Sequence, residues 1–234
     1  MVAAFTLVVT RLSSRVEVQA GPHWQGCAMA ATSDPRPAMV EIAHLMYERR
    51  LTNAAGGNLS CRVGDYIYIS PRYLGSKQRW KLREEMVLVF DKDYQIVEGD
   101  PAMISREGRM HFACYQNFPE INGVIHAHPQ YLTVFVSAGE PVPPVNQYTE
   151  KFGSMEVVPN LPSHSQDLAD AVVAALRPRA AALTKNGLGL ILSWHGVAVV
   201  GRDLDDAYDT LERLEWSAQT LLLARAAGMP LKGR

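Results

Sequence analysis

Cysteine is scarce in this chain: Cys27, Cys61 and Cys114 are its only three, and none sits at a C-x-x-C spacing. That argues against a disulfide framework and a cysteine-ligated metal, and a reducing, cytoplasmic home is the simplest expectation. Cys114 falls in an amphipathic run and is expected to act as a small buried hydrophobe rather than a nucleophile. An excess of one charge sign is missing too. With 23 basic and 24 acidic residues the formal net charge is -1, so nothing points to nucleic acid or to an anionic membrane, and a small anionic or neutral ligand stays open. Nor is there an apolar run of membrane-spanning length; the apolar piece over residues 2–10 is short, is broken by Arg11 and Arg15, and makes a poor secretory signal. Internal repeats, low-complexity tracts and a mid-chain linker are lacking, so the 47% hydrophobic content is expected in a single core.

What is present starts slowly. Residues 1–34 mix Gly, Pro, Ser and Ala with little periodicity and are expected to form an irregular N-terminal arm. Met29, just before the organised sequence, is an alternative start, which leaves open whether residues 1–28 belong to the native protein. Residues 35–234 are expected to be one folded domain. Met39, Ile42, Ala43, Met46 and Tyr47 recur at helical spacing behind Pro35 and Pro37, which predicts a first helix ending near Leu51. Residues 59–63 and 66–70 flank Gly64-Asp65 as a hairpin, and residues 86–90 and 94–97 flank Asp91-Lys92-Asp93 as a second. Ser105 is placed to cap a helix over residues 106–117, with Met110, Cys114 and Tyr115 facing inward.

The second half adds a strand entering Pro129, a helix over residues 131–138, a proline-rich crossing, and a short strand over 155–158. A helix then starts at Ser165 or Asp167, and one or two strands over 188–200 break at His195-Gly196. The longest helical pattern, residues 203–227, is stopped by Gly228 and Pro230, with Tyr208 and Trp216 expected to pack in the core. Strands mixed with helices imply a layered α/β domain, and the hairpins imply a mixed, mostly antiparallel central sheet flanked by helices.

The chemistry-bearing stretch is Val124-Ile125-His126-Ala127-His128-Pro129. Two histidines at i and i+2 of a strand share a face, and such imidazoles suit Zn, Mn or Fe. Two satisfied polar histidines at a strand end are the alternative. Catalytic metal sites commonly use three protein ligands and keep one position open, and His195, at the break in an apolar strand, can complete a set. Of the other four, His23 lies in the arm, His44 in the first helix, His111 on the helix after Ser105 and His164 in a loop beside Pro162. Residue type and spacing do not choose among them.

Four blocks carry a resemblance: Gly56-Gly57-Asn58-Leu59-Ser60; Ser105-Arg106-Glu107-Gly108-Arg109-Met110-His111; Val124 to Pro129; and His195-Gly196 followed by residues 197–201 and the terminal helix. In this order, over about residues 36–228, the chain resembles the class II aldolase/adducin family. The resemblance implies a metal-dependent lyase with His126, His128 and His195 as ligands of a divalent ion, Mn or Zn. It implies Glu107, nineteen residues before His126, as the acid/base group, and a carboxyl pKa raised toward working pH suits that role. Gly56, Gly57 and Asn58 resemble the family's loop for an anionic end, where glycine lets backbone N–H groups approach and Asn58 donates from its amide.

Sugar-phosphate members of the family carry small residues around the phosphate, where this chain has Arg72, Tyr73, Ser105 and Arg106. Arginine offers a planar fork suited to carboxylates. The resemblance thus implies a decarboxylase of an aromatic hydroxy-dicarboxylate, 3-hydroxy-2-methylpyridine-4,5-dicarboxylate of vitamin B6 degradation, with Mn favoured. The alternatives are an aldolase or epimerase of a sugar phosphate or sugar acid, and a non-catalytic adducin-like interaction module. A homotetramer with sites near subunit interfaces is also implied by the family.

Overall fold

Period-two apolar runs and helical stripes sort into three layers in the computed structural model, which describes residues 34–231. The expected arm, but for its last residue, lies outside the described residues. Helix α1 (Arg36–Glu48) starts at proline, whose fixed φ suits a first helical turn. Strands β1 (Asn58–Val63) and β2 (Tyr66–Ile69) form the expected hairpin, with Gly64 at φ +57 in its turn. Then follow β3 (Leu88–Phe90), β4 (Ile96–Glu98), α2 (Gly108–Asn117), β5 (Gly123–Ala127), α3 (Leu132–Ala138) and α4 (Gln147–Glu150). The chain closes with β6 (Glu156–Val158), α5 (Gln166–Leu176), β7 (Leu188–Leu192), β8 (Gly196–Gly201) and α6 (Leu204–Ala226).

The eight strands make one sheet in the order β4-β3-β2-β1-β5-β8-β7-β6. Every neighbouring pair is antiparallel except β6 with β7, which are parallel. Alternate strand residues go to opposite faces. Ile125, Val197 and Val199 pack with α1, α3 and α6, whereas Val124, Ala198 and Val200 pack with α2 and α5. Strands β5, β7 and β8 are buried along their whole length, which is why they read as nearly continuous apolar runs rather than as alternating ones.

Several boundaries differ from expectation for local reasons. Residues Glu84–Met86 form a 3-10 turn, so β3 begins at Leu88. Tyr94 has φ +60 and belongs to the turn, not to β4. Helix α2 begins at Gly108 rather than Arg106, because the Ser105 hydroxyl accepts from Asn58 Nδ2 instead of capping the helix. Ser165 does cap α5, accepting from Leu168 N, and Asp203 caps α6, accepting from Asp206 N. Trp216 is 60% exposed, contrary to a core role, while Tyr208 packs against the core as expected. Cys61 and Cys114 are buried free thiols pushed up to about 12 by burial, which makes them inert. Among the described residues no helix is long and apolar enough to cross a membrane.

Candidate metal and acid/base site

The end of β5, the turn before β8, the loop before β1 and the residue before α2 meet at one end of the sheet's central strands. His126, buried next to the end of β5, places Nδ1 3.0 Å from the Val197 carbonyl oxygen of β8. A carbonyl only accepts, so Nδ1 carries the hydrogen and Nε2 keeps its lone pair. His128, one residue past the strand, repeats the device with Gly56 O at 3.0 Å. Carbonyl-oriented imidazoles of this kind are the usual support of metal-ligating histidines.

His195 comes from the turn between β7 and β8, and its ring centroid lies 4.6 Å from that of His126. One nitrogen each from His126, His128 and His195 falls within a 4.8 Å group. Burial, together with repulsion from His128 and His195, holds the His126 pKa well below its ordinary value, and burial foremost lowers that of His128. Neutral imidazole is the form that binds a metal. The three-nitrogen donor set therefore fits a divalent ion such as Zn or Mn.

Two glycines let the strands close on these rings. Gly57 has φ +122, and a Cβ there would lie 2.6 Å from His126 O and 3.1 Å from the Trp80 ring. At Gly196 a Cβ would meet Ala127 O at 2.7 Å and His128 Cδ2 at 2.8 Å. The Gly56-Gly57 loop thus supports the histidines directly, a role beyond the anion loop expected from the sequence.

Glu107 occupies the N-cap position of α2 and is 5% exposed. Its Oε1 lies 3.3 Å from His195 Nε2 and 2.7 Å from His164 Nδ1. Burial by itself pushes the carboxyl pKa up, but the His195 contact and the imidazoles of His126, His195 and His164 outweigh it and hold the group at about 2. With no ion in place these contacts lower the Glu107 pKa, opposite to the raised value expected from the sequence.

Every residue singled out from the sequence lines one cavity of about 350 Å³: His126, His128, His195 and Glu107 at the back, Gly57, Asn58, Ser105, Arg72 and Arg106 around it. That size suits a small ligand. Arg72 is half-buried, stacked 4.3 Å over the Tyr73 ring, and donates to Tyr73 Oη and to Ala102 O. Its Nε is buried without a partner. Arg106 is exposed. Asn58 spends Nδ2 on Ser105 and leaves Oδ1 buried without a partner. Turning the amide end for end keeps the Ser105 bond, with the hydroxyl now donating, and frees an N–H donor.

Of the remaining described histidines, His44 is exposed on α1 and His111 is buried with Nδ1 2.7 Å from Ser60 Oγ, so neither belongs to the cavity wall. His164 does line it, beside Glu107. No motif marks it; only the packing of α5 on α2, on the same sheet face, brings the loop before α5 to that carboxylate.

Fold and site together define a class: an α/β domain whose central sheet carries an open three-imidazole centre beside a buried carboxylate. The chain belongs to the class II aldolase family, for the family described as Class II Aldolase and Adducin N-terminal domain matches residues 37–222. It is 32% identical to L-fuculose phosphate aldolase of Methanococcus maripaludis (strain C7) over 184 residues, 77% of this chain and 92% of that protein. It is also 32% identical to 3-oxo-tetronate 4-phosphate decarboxylase of Haemophilus influenzae over 190 residues, 77% of this chain and 83% of that one. A solved L-fuculose 1-phosphate aldolase superposes with a TM-score of 0.73 at 26% identity, covering 87% of this chain and 92% of its own. Aldolases and decarboxylases alike break carbon–carbon bonds, so the relatives are lyases.

Proposed function

We propose that this protein is a metal-dependent carboxy-lyase acting on an aromatic hydroxy-dicarboxylate, with 3-hydroxy-2-methylpyridine-4,5-dicarboxylate as the specific candidate. The observation that carries this reading is the anchored, half-buried Arg72, which lines the same cavity as Glu107 and the three histidines. The planar fork of arginine suits a substrate carboxylate. Arg106, also on the cavity wall, supplies further donors for the same carboxylate.

His126, His128 and His195 would hold the ion, Mn or Zn, which as a Lewis acid supplies stabilisation of negative charge developing on a substrate oxygen. The chain's own residues do the rest. The bond from the ring to the departing carboxylate breaks with its electron pair left on the ring, and carbon dioxide leaves. The ring carbanion then takes a proton from a water that Glu107 orients by accepting that water's other hydrogen, and the hydroxide left behind is neutralised by a proton from solvent. An ionised carboxylate suits that part better than direct proton donation. The homotetramer expected for the family belongs to the same proposal, and sedimentation measures it.

A second reading, an aldolase of a sugar phosphate, is favoured by the fuculose-phosphate aldolase relatives. Incubation with Mn or Zn separates the two. Carbon dioxide released from the pyridine dicarboxylate, with no aldehyde from L-fuculose 1-phosphate, is the expected result. Aldehyde release from the sugar phosphate and no carbon dioxide would sink the decarboxylase.

A further inference from the structure

The loop before β1 grips His128 twice. Its Gly56 carbonyl lies 3.0 Å from the ring Nδ1, and Asn53 Nδ2 donates to the His128 carbonyl at 3.2 Å. Thr52 Oγ1 donates to the same Gly56 carbonyl at 2.9 Å, and Asn53 bridges to Gly56 across the loop. Glycines leave such a loop many conformations, so its grip depends on what packs against it.

The turns over residues 72–80 pack against it, and the same segment carries Arg72, Tyr73 and Ser76 to the cavity. A Cβ at Gly75 would lie 2.8 Å from Gly56 Cα and 2.9 Å from Asn53 O, so the two backbones touch. Trp80, fully buried, sets its ring against Gly57 and donates from its indole Nε1 to Asn53 O at 2.9 Å. Core packing alone needs only the ring; the N–H goes to the loop. Arg79 and Trp80 also have φ +52 and +59. A left-handed backbone is costly for so bulky a residue and persists where its surroundings hold it. Trp80 N donates to Leu74 O at 2.9 Å, which closes the segment in that shape.

We propose that Trp80 is a positioning residue: its indole N–H pins Asn53, and through Asn53 and Gly56 it fixes the orientation in which His128 offers Nε2 to an ion. This rests on the reading that His126, His128 and His195 hold an ion.

Cobalt(II) tests it, because its affinity and visible absorption report the ligand set without any turnover. Trp80→Phe keeps an aromatic ring in the same place but has no N–H. Co²⁺ binding to W80F is expected to weaken by roughly tenfold, as when the support of a metal ligand is removed, with a change in the visible bands. Asn53→Ala removes the amide at an exposed position, leaves Trp80 whole, and is expected to weaken binding too. Trp216→Phe, on α6, controls for the loss of an indole and keeps wild-type binding. W80F with wild-type affinity and bands and only a lower melting temperature would mean packing alone and overturn the inference. Wild-type binding in N53A overturns it as well, and decides alone if W80F does not fold; so does a W216F that loses as much as W80F. A chain that takes up no cobalt overturns the metal reading itself, and the inference with it.

Discussion

At His195 and Glu107 the ion-holding and proton-handling parts of the site can be separated by substitution. His195→Ala removes one of three nitrogens, so metal content and turnover are expected to fall together. Glu107→Gln keeps size and shape but not the base; metal content should hold while kcat falls by about 10²–10⁴. Elemental analysis beside turnover checks both, and equal metal loss in the two variants contradicts the division. Gly57→Ala tests the backbone: φ +122 and a Cβ 2.6 Å from His126 O leave no room for alanine. A loss of about 1–3 kcal/mol in urea denaturation is expected. At this scale the i, i+2 pair of His126 and His128 was legible from strand geometry. The protonation of Glu107 was not, because it depends on imidazoles that come from three other segments, including the unmarked His164.

Helix α2 is joined to the sheet by a polar contact inside an apolar layer. The Ser60 hydroxyl of β1 sits 2.7 Å from both His111 Nδ1 and Tyr115 Oη of α2. Burial pushes the His111 pKa down to about 4, against the pull of Glu107. Since the folded value lies below the unfolded one near 6.5, the unfolded chain takes up this proton first. The contribution of His111 to stability is complete above pH 6.5 and is lost as pH falls through 6.5 toward 4, by up to about 3 kcal/mol. His126 and His128, also lowered, act in the same direction. Urea midpoints of the metal-free chain at pH 7.5 and 5 should therefore fall on acidification, and His111→Gln should flatten the dependence; an unchanged pH slope in that variant argues against the assignment. The hairpins were legible at this scale because Gly64 marks the turn of the first and Asp91-Lys92-Asp93 that of the second. The start of α2 was misplaced because Ser105 finds its partner in Asn58, 47 residues away. Helix α4, only four residues long, is too short for any periodicity to show.

For the whole molecule, an ion bound only by the folded state stabilises it in proportion to its excess over Kd, by about 2.7 kcal/mol at 100 times Kd. For a chain of this length that raises Tm by roughly 5–10 °C. Zn or Mn should raise the melting temperature of the chelator-treated protein by this amount, and should leave a His126→Ala variant unmoved; a chelator-indifferent melting curve in the wild type favours a non-catalytic interaction module. Layer order follows from local pattern: buried strands and striped helices can cover their apolar faces only as an α/β stack, and no distant contact is needed to see it. Sequence alone thus determined the α/β class and the mostly antiparallel sheet, while the set of histidines, carboxylate and arginines came from the resemblance of its four blocks to the family. Tertiary structure alone decided which ring nitrogen each of His126 and His128 offers, the charge on Glu107, and the arrival of His164 beside it. Those depend on carbonyls and side chains from segments far apart in the chain, whose distances exist only once β1, β5 and β8 are paired and α5 lies on the α2 face of the sheet.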